Sequence, residues 1–437
     1  MTSEKNLKYM KTELDQKNQL RADNKLNNRP RRILILTADA GFGHRSAALA
    51  IEEALRELYG DQAQIFVINP LDDKRAPMLL RESQSDYDKI VRNIPELYRL
   101  SYEVSDATIP SAVVEGALTV MLYELLEDIV QQIKPDAIVT TYPLYQAPLT
   151  AYFTISRNYI PFITVVTDLA TVHRIWFNEH VDQLVVPTET VKKLALDYGF
   201  EKESITITGI PVHPRISRET RSKDQIRESL GWQKDITTIL AVGSKRVEGM
   251  MDALNVVNHF GFPLQLAVVA GKDDETYQAL QEIEWHIPVQ IYNYVDNMPL
   301  LMRASDAIIC KAGGLITTES LASGLPMIFI DLIPGQETGN AEYVVSNGAG
   351  DMARKPFDVL NVLKHLTMND KQLLKERSAN AHQLGKPTAA YEVARLAYQA
   401  AERGPITRER KIIKIRSKLI DMLSQNQIAV TKESRED

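Results

Sequence analysis

At 437 residues, with 44% hydrophobic and 25% charged residues, the chain is too long for one hydrophobic core and too apolar for a disordered or fibrous protein. A net charge of -6 gives no basic excess of the kind that tracks phosphate backbones, so no nucleic-acid partner is expected. The single cysteine, Cys310, permits neither a disulfide framework nor a thiolate metal cage, and it fits a reducing cytoplasm.

Residues 1–30 are rich in Lys, Asn, Gln and Asp, lack the apolar core of a secretory signal, and read as a polar arm. A first strand is expected over Ile33–Thr37, followed by the turn Gly41-Phe42-Gly43. A helix is expected over His44–Leu58, where Ala47, Ile51, Ala54, Leu55 and Leu58 recur at helical spacing and Gly60 stops the run. Apolar runs at 65–68, 137–140, 162–166 and 184–186 are separated by helix-length segments, the pattern of a parallel sheet with crossover helices. After the punctuation Thr208-Gly209-Ile210-Pro211 the pattern recurs, with runs at 237–242, 264–269, 289–292, 307–310 and 327–330. No residue-level repeat accompanies it. The fold class is therefore α/β, with two Rossmann-like, doubly wound parallel sheets facing a cleft. The expected divisions are an acceptor-side domain over 31–208, a nucleotide-binding domain over 209–385, and a returning helix with a basic tail over 386–437. No run approaches the roughly 18 consecutive apolar residues that span a bilayer, so membrane contact would be peripheral.

Two stretches carry chemistry. In the first, the glycines of 41–43 turn strand into helix and expose the N–H groups of its first turn. His44 follows at the mouth of the expected cleft. It either takes a proton from an attacking hydroxyl or hydrogen-bonds the turn. The second stretch begins at Lys311-Ala312-Gly313-Gly314 and runs to Pro326. Gly313 and Gly314 permit close backbone approach, Thr317 and Thr318 are expected to open a helix aimed at an anion, and Glu319 is expected in its first turn. That carboxylate could accept both hydroxyls of a ribose while the helix end faces a diphosphate. The polar loop 334–340 follows the last apolar run, and its carboxamides and carboxylate suit sugar hydroxyls.

Together these residues resemble glycosyltransferase family 28 of the GT-B enzymes, over about residues 31–400. The closer likeness is to the branch of monogalactosyldiacylglycerol synthases and processive diacylglycerol glucosyltransferases. The run Val166-Thr167-Asp168-Leu169-Ala170-Thr171-Val172-His173-Arg174-Ile175-Trp176-Phe177 is similar to that branch's TDL-x-T-x-H-x-x-WF signature, and 334–340 to its PGQE-x-GN element. The resemblance implies an inverting transfer of galactose or glucose from a UDP-sugar to diacylglycerol or a related glycolipid. A UDP-N-acetylglucosamine transferase with a polyprenyl-linked acceptor and a non-catalytic sugar-nucleotide-binding regulator are the alternatives. His44 is implied as general base, with Asp168 or His173 as orienter or acceptor contact, and Gly41, Gly43, His173 and Trp176 on the acceptor side. Glu319 would hold ribose. Gln336, Glu337 and Asn340 would lie near the donor sugar and diphosphate. Gly243, Ser244, Lys245 and Arg246 occupy the place of the family's glycine loop, although Ala241-Val242 precede Gly243 where the family often carries a longer glycine run.

No cofactor beyond the UDP-sugar is expected, and no metal, because neither Asp72-Asp73 nor Asp273-Asp274 forms a D-x-D element at a strand end. A lipid acceptor implies a peripheral enzyme on the inner face of the cell membrane. Arg31-Arg32, residues 95–102 and the basic tail at 408–418 are its candidate contacts with anionic headgroups.

Overall fold

The computed structural model describes residues 29–404 apart from 41, 79, 82–107, 244–246, 335 and 336. Gly41, Ser244, Lys245, Arg246 and Gln336, and the membrane candidates at 95–102 and 408–418, lie outside the described residues.

Each half of the chain builds a six-stranded, all-parallel sheet. The first contains β1 (Arg31–Leu36), β2 (Ala63–Ile68), β3 (Ala137–Thr140), β4 (Phe162–Val165), β5 (Gln183–Val186) and β6 (Ile205–Ile207), in the order β2-β1-β3-β4-β5-β6. The second contains β7 (Thr237–Val242), β8 (Leu264–Val269), β9 (Val289–Tyr292), β10 (Ala307–Lys311), β11 (Met327–Asp331) and β12 (Gly350–Met352), in the order β12-β11-β10-β7-β8-β9. Every apolar run singled out in the sequence is a strand. The edge strands β6 and β12 were not legible, because Ile-Thr-Ile and Gly-Asp-Met are too short to show an apolar run.

Chain order reverses direction between β1 and β3 in the first sheet, and between β7 and β10 in the second. In open parallel sheets such a reversal leaves a crevice at the carboxyl ends of the strands, where the loops diverge. Both glycine-marked helix starts fall at these places: Phe42-Gly43 after β1, and Gly313-Gly314 after β10.

Alternation along β1 shows how the first sheet is covered. Leu34 and Leu36 face a cluster with Leu122, Leu126 and Phe162, whereas Ile33 and Ile35 face Ile51, Leu55 and Val393. Val393 belongs to the last described helix, Ala389–Arg403, whose Ala390, Val393, Ala394, Ala397, Tyr398 and Ala401 recur at i, i+3 and i+4 and are buried against the first sheet. Replacing Ile51, which is fully buried, by alanine would cost about 2–5 kcal/mol in transfer and cavity terms. The chain crosses between the sheets near 208–212 and returns near 385–389, and the crossings touch. Gly209 adopts φ +88°, and a Cβ there would stand 2.4 Å from Lys386 Cβ, so both backbone conformation and space require glycine.

Candidate active site

His44 lies in the first turn of the helix Phe42–Tyr59, which starts two residues earlier than its periodicity indicates. The residue that fixes it is Thr141, just beyond the end of β3. Thr141 is fully buried; its N–H donates to Leu36 O at 3.0 Å, and its hydroxyl donates to His44 O at 2.9 Å. Its carbonyl lies 2.9 Å from His44 Nδ1. A carbonyl only accepts, so Nδ1 carries the proton, and Nε2 keeps the lone pair. Thr167 Oγ1 is a second partner of Nδ1 at 2.7 Å. Tyr142 packs edge-on at 5.0 Å, and the Trp176 ring lies 5.9 Å away. Burial lowers the His44 pKa to about 4, against the opposing pull of the Thr141 carbonyl. The ring is neutral at physiological pH, in the tautomer a proton acceptor at Nε2 needs.

Asp168 and His173 each have a partner close in sequence. Asp168 Oδ2 accepts from Trp176 Nε1 at 2.6 Å, and burial raises its carboxyl to about 6 despite that bond. His173 Nδ1 accepts from Ile175 N–H at 3.1 Å and caps the short turn Arg174–Trp176. Trp176 is 1% exposed; it packs against the His44 ring and donates to Asp168. Spacing alone could not separate these roles, because Thr141 and Thr167 reach His44 from the loops that follow β3 and β4. Gly43 has open space where a side chain would stand.

In the second sheet the helix Gly314–Ala322 begins at the glycines, with Gly313 as its N-cap. The expectation that Thr317 and Thr318 open it is corrected by three residues. Thr317 N–H already donates to Gly313 O at 3.0 Å; its side chain is fully buried, and its Oγ1 finds no hydrogen-bond partner. Thr318 Oγ1 donates to Gly314 O at 2.7 Å. The N–H groups available to an anion are therefore those of Gly314, Leu315 and Ile316. Glu319 falls in the second turn. Its side chain remains partly accessible while burial raises the carboxyl to about 7.

Glu337 is 6% exposed and already occupied: Oε1 pairs with Lys311 Nζ at 2.9 Å, and Oε2 accepts from Ile333 N–H at 2.7 Å. Burial raises its pKa and Lys311 draws it back. The pair sits beside the glycine turn, with Oε1 at 3.5 Å from a Cβ built on Gly313. Lys311 opens the glycine stretch in the sequence, but its salt-bridge partner lies 26 residues on and was not legible. Asn340 Nδ2 donates to Ala312 O at 3.1 Å and braces the same turn. Gly243 continues β7, its N–H donating to Val269 O at 2.9 Å. Arg31 and Arg32 open β1 at the sheet edge opposite His44, about 20 Å of strand away; Arg32 lies over the Phe66 ring.

The two halves of the site meet. Thr167, bonded to His44 through its hydroxyl, directs its carbonyl to within 3.7 Å of a Cβ built on Gly314. One residue therefore spans the distance from the imidazole to the N-terminal end of the helix Gly314–Ala322. Among the described residues no group of three or more His, Cys, Asp or Glu side chains is placed to hold a metal ion.

Comparison with known proteins bears on the family and the fold. The chain matches the family described as "Monogalactosyldiacylglycerol (MGDG) synthase" over residues 44–212, and the "Glycosyltransferase family 28 C-terminal domain" over 241–393. It is 32% identical over 379 residues to a probable chloroplastic monogalactosyldiacylglycerol synthase of Glycine max, covering 84% of this chain and 70% of that one. Identity to monogalactosyldiacylglycerol synthase 2 of Arabidopsis thaliana is 29%, covering 86% and 83%. Among solved structures, MurG of Acinetobacter baumannii superposes with a TM-score of 0.52 at 17% identity, over 85% of this chain and 100% of that chain. MnaA of S. aureus in complex with UDP superposes with a TM-score of 0.55 at 16% identity, over 83% and 94%. At such identities the structural likeness establishes the fold alone: two Rossmann-like domains in the GT-B arrangement. The sequence relationship establishes more, and on it the chain belongs to the monogalactosyldiacylglycerol synthase family of glycosyltransferases.

Proposed function

We propose that this protein transfers a hexose, galactose or glucose, from a UDP-sugar to diacylglycerol or a related glycolipid at a membrane surface, with inversion at the anomeric carbon. The observation that carries the reading is the tautomer of His44: a backbone carbonyl holds Nδ1–H, which leaves Nε2 as the proton acceptor. The acceptor hydroxyl oxygen bonds to the anomeric carbon as its proton passes to Nε2, and the bond from that carbon to the UDP oxygen breaks. The N–H groups opening the helix Gly314–Ala322 stabilise the charge that develops on the departing diphosphate. Glu319, in the second turn of that helix, accepts hydrogen bonds from the ribose, and Glu337 and Asn340 stand beside the sugar. The names of the relatives favour galactose as the hexose and diacylglycerol as the acceptor. No helix among the described residues is long and apolar enough to cross a membrane, and access to a lipid acceptor would be peripheral. The reaction is expected to need no divalent metal.

The test is incubation of the protein with radiolabelled UDP-galactose or UDP-glucose and diacylglycerol vesicles, with and without EDTA. A labelled lipid in both samples is the expected result. Loss of product in EDTA with recovery on added magnesium would contradict the metal-free step. Release of an altered free sugar, or saturable UDP binding with no product for any lipid acceptor, would contradict the transferase reading.

A further inference from the structure

The segment 167–171 belongs to the first domain but is wedged against the second. Leu169 is 4% exposed and is buried with Leu321, Ala341 and Val344 of the second domain. At its start, Thr167 puts its hydroxyl 2.7 Å from His44 Nδ1 and its carbonyl against Gly314. At its end, Thr171 meets Gly339. A Cβ built on Gly339 would lie 1.9 Å from Thr171 Oγ1 and 3.0 Å from both its Cβ and its backbone nitrogen. Gly339 is not among the glycines with positive φ, so the backbone does not require glycine there; only the approach of the first domain does. The imidazole is thus held from one side by Thr141, within its own domain, and from the other by a residue whose segment is seated on the second domain.

We propose that Thr167 is a positioning residue for His44, and that the second domain holds Thr167 in place through the contact between Gly339 and Thr171. Two acceptors on Nδ1–H fix the ring plane and aim Nε2; with Thr141 O alone the ring can turn about that single bond. The imidazolium that forms as Nε2 takes the proton is also better stabilised by two acceptors than by one. A base completed only when the donor-binding half is seated would be idle while the domains are apart, which protects a bound UDP-sugar from water. The inference rests on the transferase reading, but its ring geometry can be measured without turnover.

Four variants test it: Thr167→Val, Thr167→Ser, Gly339→Ala, and Gly339→Ala combined with Thr171→Gly. For each, kcat at saturating substrates is compared with the UDP dissociation constant from calorimetry, and the ring nitrogens of His44 are followed by 15N NMR. Thr167→Val is expected to lower kcat by about tenfold, the effect of about one hydrogen bond in the transition state, and to shift the Nδ1 signal. Thr167→Ser, which keeps the hydroxyl, should stay within about threefold of the parent. Gly339→Ala should lower kcat by about tenfold or more and move the same Nδ1 signal, while UDP affinity changes by less than about threefold; the added Thr171→Gly should recover most of the loss. The proposal is overturned if Thr167→Val matches the parent in kcat and ring signals. It is equally overturned if Gly339→Ala leaves the His44 signals in place, if it weakens UDP binding as much as turnover, or if Thr171→Gly brings no recovery. A parent protein that transfers no sugar would instead remove the transferase reading, with the ring measurements still deciding the geometry.

Discussion

Replacing Lys311 by methionine leaves the Glu337 carboxylate without its cation. The two side chains are 15% and 8% exposed with their charged atoms 2.9 Å apart, and removing one partner of such a buried pair typically costs about 3–5 kcal/mol. The Ile333 N–H remains on Oε2 at 2.7 Å, which places the expected loss at the lower end, about 3 kcal/mol. The deficit should depend on pH. Burial already raises the Glu337 pKa and Lys311 opposes it, so without the lysine the folded-state value moves further above the unfolded value of about 4.3. A carboxyl whose pKa is raised by folding destabilises the fold as pH climbs through and beyond the unfolded pKa. The deficit is therefore expected in full at high pH and to shrink on acidification towards the unfolded value, as Glu337 takes up a proton. Urea unfolding followed by tryptophan fluorescence would measure it, because Trp232 and Trp285 both pack in the second domain. Adding Glu337→Gln should recover most of the loss by removing the stranded charge. A deficit under about 1 kcal/mol at high pH, or one equal at both ends of the range, would refute the reasoning.

Three further outcomes follow from the site. His44→Ala should keep UDP binding, measured by calorimetry, and lose roughly 10²- to 10⁴-fold in turnover, the usual contribution of a positioned base; parental turnover would remove the assignment. Because the His44 pKa is lowered to about 4, the base is free throughout the neutral range. The pH profile of kcat/KM should carry no acid limb attributable to His44 until pH falls to about 4, and a limb near 6.5 that disappears in His44→Ala would contradict the buried tautomer. Glu319→Ala should raise the UDP dissociation constant. As the Glu319 carboxyl ionises at about 7, parental UDP affinity should fall by up to about tenfold per pH unit on acidification below that value, and a pH-independent affinity would argue against a ribose-binding carboxylate.

The strands were legible because buried parallel strands are written as uninterrupted apolar runs, and Thr237–Val242 and Leu264–Val269 are strands over those same residues. The switch points were legible only through glycine, which marked the turns after β1 and β10 without saying where the following helix starts. A glycine pair can precede a helix or serve as its N-cap and first residue; Thr317, expected to open the helix, has its N–H bonded to Gly313 O inside the first turn. Partners from distant strands were beyond reach. Thr141 stands 97 residues from His44 and Thr167 stands 123 residues away, and nothing in an apolar run announces which hydroxyl beyond its end will face a ring at the start of a helix. Asp168 and His173 are placed beside His44 by the family resemblance, and nothing in the residues around Thr167 singles out its hydroxyl. The structure gives Asp168 to Trp176 and His173 to a turn.

The claim that the acceptor attacks from the side opposite UDP, with His44 Nε2 receiving its proton, is tested most directly by the anomeric configuration of the glycolipid product, read from its one-bond and vicinal couplings by NMR. A β-linked sugar from the α-linked UDP donor is the result the account predicts, and an α-linked product would contradict it.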